Sequence, residues 1–513
     1  MKFDIIFALL VTFLVSTADA DNLDESNLLF DWAQISFPKS FSPANSNTYS
    51  VNGYLVRYFS DTHTYLGTKD NITYVLGDIF GGLVVVGSLS YYIDLINSLK
   101  VCNDSDGRCT YYVSPDGDDS NKGSITNPFV TIEKAISHVK AGDTIYLRAG
   151  IYSLKNKENS SYGLYITKNG SSQKHIKLWA YPGEKVELVP HYPYQTLAAI
   201  KFTGDYWHFK GFSITGIKQW LTNGNTRSSF NVGFDVKDAN HNIFELIESH
   251  HNEGIGFYLG GNSNDNLVLN ADFHHNGDPL TILNGKSYPY GHADGIHIRV
   301  EYSNTSNIIS GTRAWNNSDD GFDTWFSAGI IKFENNWAFF NGYKERDTTI
   351  LADGNGFKLG PMDDKRQPTT DGVTRKYVQN CLAYNNLANG FDYNGGEMPM
   401  KIYNNTSYKN GQWGYTFKGT SRYILKNNIS FDDLESDNLS SSVDQSNNTW
   451  NSGFNVSERD FISLVDSGLD GSRNNDGSLP NLNFLKLRSS SHLKNAGVHL
   501  NFPYLGEAPD LGY

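Results

Sequence analysis

Asp294-Gly295-Ile296-His297, Asp320-Gly321-Phe322-Asp323, Asn355-Gly356-Phe357-Lys358, Asn389-Gly390-Phe391-Asp392 and Trp413-Gly414-Tyr415-Thr416 are copies of one phrase. Each follows an Asn-bearing stretch: His275-Asn276, Asn316-Asn317, Phe340-Asn341, Asn385-Asn386 and Lys409-Asn410. The copies recur about every 24 to 26 residues, lengthening to about 35 where a turn carries extra loop, and a period of that size marks a solenoid. Short apolar runs such as Ile308-Ile309, Ile330 to Phe333 and Lys401-Ile402-Tyr403 end at Asn-rich turns. Strands one coil apart and running in one direction must pair in parallel, and inward Asn side chains at stacked turns can hydrogen-bond along the stack. The expected fold is all-β, a right-handed parallel β-helix with coils from about Ile176 to about Asn455.

Length does not argue against one long domain. A solenoid of 513 residues is allowed because each coil touches only its neighbours. Hydrophobic residues at 39% suffice for a narrow core, and 48 glycines with abundant Asn and Tyr favour turns and strands over long helices. Residues 1–20 combine Lys2, an apolar run from Ile5 to Val15 and a small-x-small close at Ala18-Asp19-Ala20, which predicts a signal peptide and a secreted, extracellular protein. No later run reaches the roughly 20 apolar residues of a membrane span. Residues 21–108 hold strand-like runs at Tyr54 to Phe59, Asn71 to Leu76 and Leu83 to Val86, expected to form a small accessory β-rich segment; residues 109–513 are assigned to the β-helix. Near its start Thr131 reads as an N-cap, Ile132, Ala135, Ile136 and Val139 fall at helical spacing, and Gly142 stops that helix before a strand Thr144 to Leu147. Such a helix would cap the open end of the solenoid, and Pro503 to Tyr513 is expected to be a closing segment.

Three cysteines are present. Export predicts a Cys102–Cys109 disulfide and leaves Cys381 as a buried thiol in a strand. Asn-x-Ser/Thr triplets, among them Asn71, Asn103, Asn159, Asn304, Asn404 and Asn428, fit a glycoprotein, although an Asn-rich solenoid generates such triplets by chance. A net charge of −13 gives no basis for nucleic-acid binding, and it also means that any polyanionic substrate needs local cations. Arg299, Lys332, Lys376 and Lys418 lie in the central coils and are the candidates for substrate binding; ordinary solvated strand charges are the alternative. Trp325 and Trp413 could stack on sugar faces, whereas Trp337 is expected inside a coil.

The repeat also gathers chemistry. Asp294, Asp320, Asn355 and Asn389 share one repeat position and His297, Asp323, Lys358 and Asp392 another, so these side chains should project from one face on successive coils about 4.8 Å apart. Asp319 adds a further carboxylate. Carboxylates crowded into one turn repel one another unless protons or a cation neutralise them, and hard oxygen ligands favour Ca2+. Asp294, Asp319, Asp320 and Asp323 are therefore the candidate metal ligands, with Lys358 beside them. Asp392 reads as an ordinary turn residue, and His292 and His297 as polar turn and strand residues.

The runs Ala293-Asp294-Gly295, Arg313 to Asp323, Trp337-Ala338-Phe339 and Gly354 to Gly360, in that order and spacing, resemble the family 9 pectate lyases. The opening Tyr111 to Tyr152 looks like the start of the same domain. The resemblance implies a β-helix enzyme that cleaves polygalacturonate by β-elimination, with Asp294, Asp319, Asp320 and Asp323 holding Ca2+ and Lys358 as the Brønsted base. It implies action on a uronic-acid polysaccharide. A capped solenoid is expected to be a monomer, and activity is expected to rise above neutral pH because a free lysine titrates near pKa ~10.4. Ile296-His297-Ile298-Arg299 and the loop Tyr343 to Asp353 depart from the family pattern and bear on subsite preference. Two other classes remain at this stage. One is an inverting glycoside hydrolase, which needs two carboxyls ~6.5–9.5 Å apart and neither metal nor lysine. The other is a non-catalytic glycan-binding protein with structural calcium.

Overall fold

The computed structural model describes residues 107–155, 161–191, 197–220, 231–283, 286–344, 349–360 and 372–513, and the strands between residues 48 and 88. Two compact units divide the chain, the first ending at Val101 apart from a short excursion at Ser124–Asn127. In the first unit Thr48–Val51, Tyr54–Phe59, Thr64–Lys69, Ile72–Ile79 and Gly82–Ser88 pair in sequence order as an antiparallel meander. Residues 1–20, Cys102 and the triplets at Asn71, Asn103 and Asn159 fall outside the described residues.

The second unit is a right-handed parallel β-helix. Three sheets run its length: 12 strands from Thr110–Val113 to Asp444–Ser446, 10 from Gly150–Lys155 to Ile429–Phe431, and 10 from Tyr162–Ile166 to Asn438–Leu439. Every pairing within them is parallel, each strand lying between its counterparts one coil earlier and one coil later. The helix Ile132–His138 sits where its spacing predicted, with the Thr131 side chain accepting from Lys134 N, and the strand Thr144–Leu147 follows. Coils begin earlier than expected: Thr144–Leu147 already pairs with Ile176–Ala180, and Gly150–Lys155 with Val186–His191. Those first coils turn without the Asn-rich phrase, so the repeat does not announce them.

Two internal stacks explain the phrase. The Asn residues form a continuous ladder in which Asn252, Asn276, Asn317, Asn341, Asn386 and Asn410 each donate from backbone N and from Nδ2 to the side-chain oxygen of the next coil, ending on Asp433 Oδ1. The aromatics stack inside the third sheet: Phe322 on Phe357 at 4.7 Å, Phe357 on Phe391 at 4.9 Å and Phe391 on Tyr415 at 4.9 Å. Glycine precedes each aromatic because a Cβ at Gly321 would lie 2.7 Å from Asn341 Nδ2 and 2.9 Å from Gly356 O. Inward Phe then forces the next residue outward, as strand alternation requires.

Three expectations need correction. Cys381 is a free buried thiol, but it precedes the strand Leu382–Tyr384 and occupies a turn: Asn336 N donates to its sulfur and its own N donates to Asn405 Oδ1. It thus stands in a second side-chain ladder at a place where the adjoining coils have Asn336 and Asn405. Trp337 lies outside the coil, because alternation along its strand puts Ala338 inward, in line with Ala314 and Ala383. It is buried with Trp315, Phe339, Leu382, Tyr384 and Tyr408 under Phe461, Leu469, Phe484, Leu485, Leu493 and Leu511. The closing segment is accordingly longer than Pro503 to Tyr513 and lies along the side of the solenoid, continuing none of its coils. Cys109 is disulfide-bonded; the pairing with Cys102 remains a proposal.

Candidate active site

The outward positions of the third sheet carry the chemistry. Register aligns Tyr258 with His297, His297 with Asp323, Asp323 with Lys358, and Lys358 with Asp392. A parallel column stands at the turn before these strands. Asp320 N donates to Asp294 Oδ1 at 3.1 Å, Asn355 N and Nδ2 donate to Asp320 Oδ1 at 2.7 and 2.8 Å, and Asn389 N and Nδ2 donate to Asn355 Oδ1 at 3.1 and 2.9 Å. This is an Asx ladder in which two members are aspartate. One carboxylate oxygen holds the coil above in place, and the second is left for other work.

Those second oxygens meet in one buried cluster. Asp294 Oδ2 lies 2.8 Å from His297 Nδ1, and Asp320 Oδ2 accepts from Lys358 Nζ at 2.7 Å. Asp323 Oδ2 is 3.5 Å from the same Nζ, while Asp323 Oδ1 accepts from Trp325 N at 2.6 Å. Asp294, Asp319 and Asp320 each offer an oxygen within 4.8 Å of the others. Asp319 Oδ1 is buried and has no hydrogen-bond partner. All four carboxylates are at most 5% exposed.

Charge is out of balance here. Burial, then the neighbouring Asp323 and Asp320, push the Asp294 carboxyl well above its usual range; burial and Asp320 do the same to Asp319. Asp323 is raised by burial, against the pull of Lys358. Burial favours the neutral form of Lys358, but Asp320, Asp323, Asp319 and Asp294 together outweigh it and hold its ammonium well above the ordinary lysine value. Four buried carboxylates facing one ammonium leave room for a cation.

The other candidates separate. Arg299 lies on this face, its guanidinium 4.9 Å over the Phe326 ring, in a groove lined also by Lys201, Lys237, Tyr258, His297 and Trp325. Lys418 follows the strand Tyr415–Phe417 of the same sheet, further along it, and lies 4.9 Å over the Trp413 ring. Lys332 does not join them: it is on Ile330–Glu334 of the first sheet, flanked by the inward Ile331 and Phe333, so it projects from a different face. Lys376 is fully buried, its Nζ donating to Ser327 O and Gly329 O, and is withdrawn from substrate. Sequence reasoning missed the contact of His297 with Asp294, although His297 shares the Asp323 column. It also missed Lys201, whose strand reads Ala199-Ile200 where later coils read Gly-aromatic, and Lys237, although Gly233-Phe234-Asp235 carries the phrase in its own strand.

Residues 111–438 match the family described as "Pel9A-like, right handed beta helix region". The chain belongs to the family 9 pectate lyases. Pectate lyase L of Dickeya dadantii (strain 3937) is 32% identical over 411 residues, 78% of this chain and 89% of that protein. Pectate lyase PEL9 of Emericella nidulans is 32% identical over 405 residues, covering 73% and 91%. Among solved structures, pectate lyase Pel9A superposes with a TM-score of 0.64 at 31% identity, covering 79% of this chain and 95% of that one. A rhamnogalacturonan lyase gives a TM-score of 0.65 at 29% identity, covering 74% and 96%. As a family 9 member this chain is a polysaccharide lyase.

Proposed function

We propose that this lyase cleaves polygalacturonate by β-elimination, with Lys358 as the base and Ca2+ held by Asp294, Asp319, Asp320 and Asp323. The observation that carries the reading is Lys358 Nζ set between Asp320 Oδ2 and Asp323 Oδ2 beside an unpartnered buried oxygen of Asp319. The donor set is almost all carboxylate oxygen, which suits a hard cation of flexible coordination. When bound, Ca2+ would supply positive charge against the uronate carboxylate and so favour loss of the adjacent C5 proton. Lys358, as the free amine, takes that proton; the C–H electron pair becomes the C4–C5 double bond, the C4–O glycosidic bond breaks, and its electrons leave with the departing sugar oxygen, which takes a proton from solvent water. Lys358 holds its own proton while the carboxylates are unneutralised, so it serves as base only once their charge is met. His297 fixes the spare oxygen of Asp294. Arg299 and Lys418 offer positive charge to flanking uronates along the same face. Secretion rests on residues 1–20.

The inverting-hydrolase reading is weakened by distance, since oxygens of Asp294, Asp319 and Asp320 within 4.8 Å of one another leave no slot for the water of an inverting pair. Rhamnogalacturonan is the competing substrate, because a lyase of that name overlays as well as Pel9A does. Each polymer would be supplied to wild type and Lys358→Ala, with Ca2+ and with chelator, while the ultraviolet band of the unsaturated uronide is followed. A Ca2+-dependent rise on polygalacturonate, reduced by about 10³-fold or more in the variant, is expected. New reducing ends without the band would establish hydrolysis, and a rise on rhamnogalacturonan alone would reassign the substrate.

A further inference from the structure

A second cluster of ligating side chains lies on the second sheet, away from the aspartates. The strands Glu248–His250 and Asp272–His274 are neighbours in parallel register, aligning His250 with His274. Each is followed by another histidine in the left-handed turn conformation, His251 at φ 52° and His275 at φ 53°. Within each coil the two rings face each other through Nδ1, at 2.8 Å in both pairs. Between coils they stack, His250 on His274 at 5.0 Å and His251 on His275 at 4.8 Å, nearly coplanar in orientation. His251, His274 and His275 each present a ring nitrogen within 4.8 Å of the other two.

The column does not require histidine for folding. Its strand-end position is filled on later coils by Trp315, Phe339, Tyr384 and Tyr408, and its left-handed position by Asn316, Phe340, Asn385 and Lys409. Four imidazoles on two successive coils are therefore more than the turn demands. Glu248 accepts from His274 Nε2 at 3.0 Å, which orients that ring and leaves its Nδ1 toward His275. His251 is exposed, and His250 and Glu248 border an open groove with Ser213 and Leu246, so solutes reach the cluster.

We propose that His251, His274 and His275 bind a divalent transition cation of the Zn2+ or Cu2+ class, with water or His250 completing the shell. Imidazole nitrogens suit those ions and Ca2+ poorly, so cations sort between this site and the carboxylate site by ligand hardness. Metal–nitrogen bonds of about 2.0–2.1 Å require the rings to draw together by small rotations about their side-chain bonds. The bound ion would tie two coils at a turn, acting as a structural clip.

The test titrates ZnCl2 and CuCl2 by calorimetry into the untagged full chain in saturating Ca2+, with electron paramagnetic resonance on the Cu2+ sample. A single equivalent showing nitrogen hyperfine coupling is expected. His251→Asn and His275→Asn install the residue that Asn316 and Asn385 already place at this turn, so the fold is retained, as circular dichroism would verify. Each should weaken Zn2+ binding by about tenfold or more, whereas Asp319→Asn should leave it unchanged. No uptake by wild type, uptake that survives when His251→Asn and His275→Asn are combined, or loss in Asp319→Asn alone would overturn the site.

Discussion

Single residues in this protein are set by which way they face. Asp323 and Lys358 differ in charge yet occupy the same register position, each forced outward by an inward phenylalanine one residue before. Lys376 is the opposite case, a lysine facing into the coil with two carbonyl acceptors and, among the described residues, no carboxylate on it. Burial, reinforced by Arg375, brings it down to about 7. An unfolded lysine titrates at about 10.4, so between about 7 and 10.4 the unfolded chain binds more protons and stability attributable to this site rises with pH. Its cost is greatest at and below pH ~7 and fades toward pH ~10. Lys376→Met is expected to raise stability by about 1–3 kcal/mol at pH ~6.5 and by much less at pH ~9.5, as read from guanidinium unfolding at the two pH values.

At the scale of the element, the side-chain ladders are what make each coil repeat the last. A ladder Asn satisfies a backbone N–H and a carbonyl of the coil before it, as Asn341 does with Asn317 N and Ala314 O. Asn428 is fully buried in such a ladder, so its triplet marks structure and offers no glycan acceptor; Asn304 is exposed. Cys381 is the weak rung, accepting from Asn336 N at 3.5 Å through sulfur. Cys381→Asn would extend the run from Asn336 to Asn405, and a net gain of about 1 kcal/mol in unfolding free energy is expected. A loss would mean that the coil spacing at this turn is tuned to the thiol. The Asp294–Asp320 ladder was legible as a repeat position, because Asp and Asn recur there at one interval. Its use of one oxygen for the backbone and one for the site was not, because that division depends on the next coil's N–H.

Over the whole molecule, the solenoid needs cover on the side where its outward residues are aromatic. Residues from about Phe454 onward supply it, with Arg473 reaching Asp272 at 2.6 Å and Phe484 packing on the Tyr384 ring at 4.9 Å. Phe484→Ala should cost about 3–5 kcal/mol and loosen this strap, seen as faster proteolysis after residue 452 while the coils stay intact. Equal cleavage in variant and wild type would show that the strap is held elsewhere.

The repeat phrase by itself determined the parallel β-helix and the shared face of Asp294, Asp320, Asp323 and Lys358, and the N-cap and apolar spacing after Thr131 determined the short helix, because strand alternation, coil period and capping are local properties of the chain. It could not determine that Lys332 and Lys376 leave that face or that Trp337 is covered from outside. Those outcomes depend on which of three sheets a strand enters, and on a segment more than a hundred residues later folding back along it. Such contacts are long-range, and no period in the sequence encodes them.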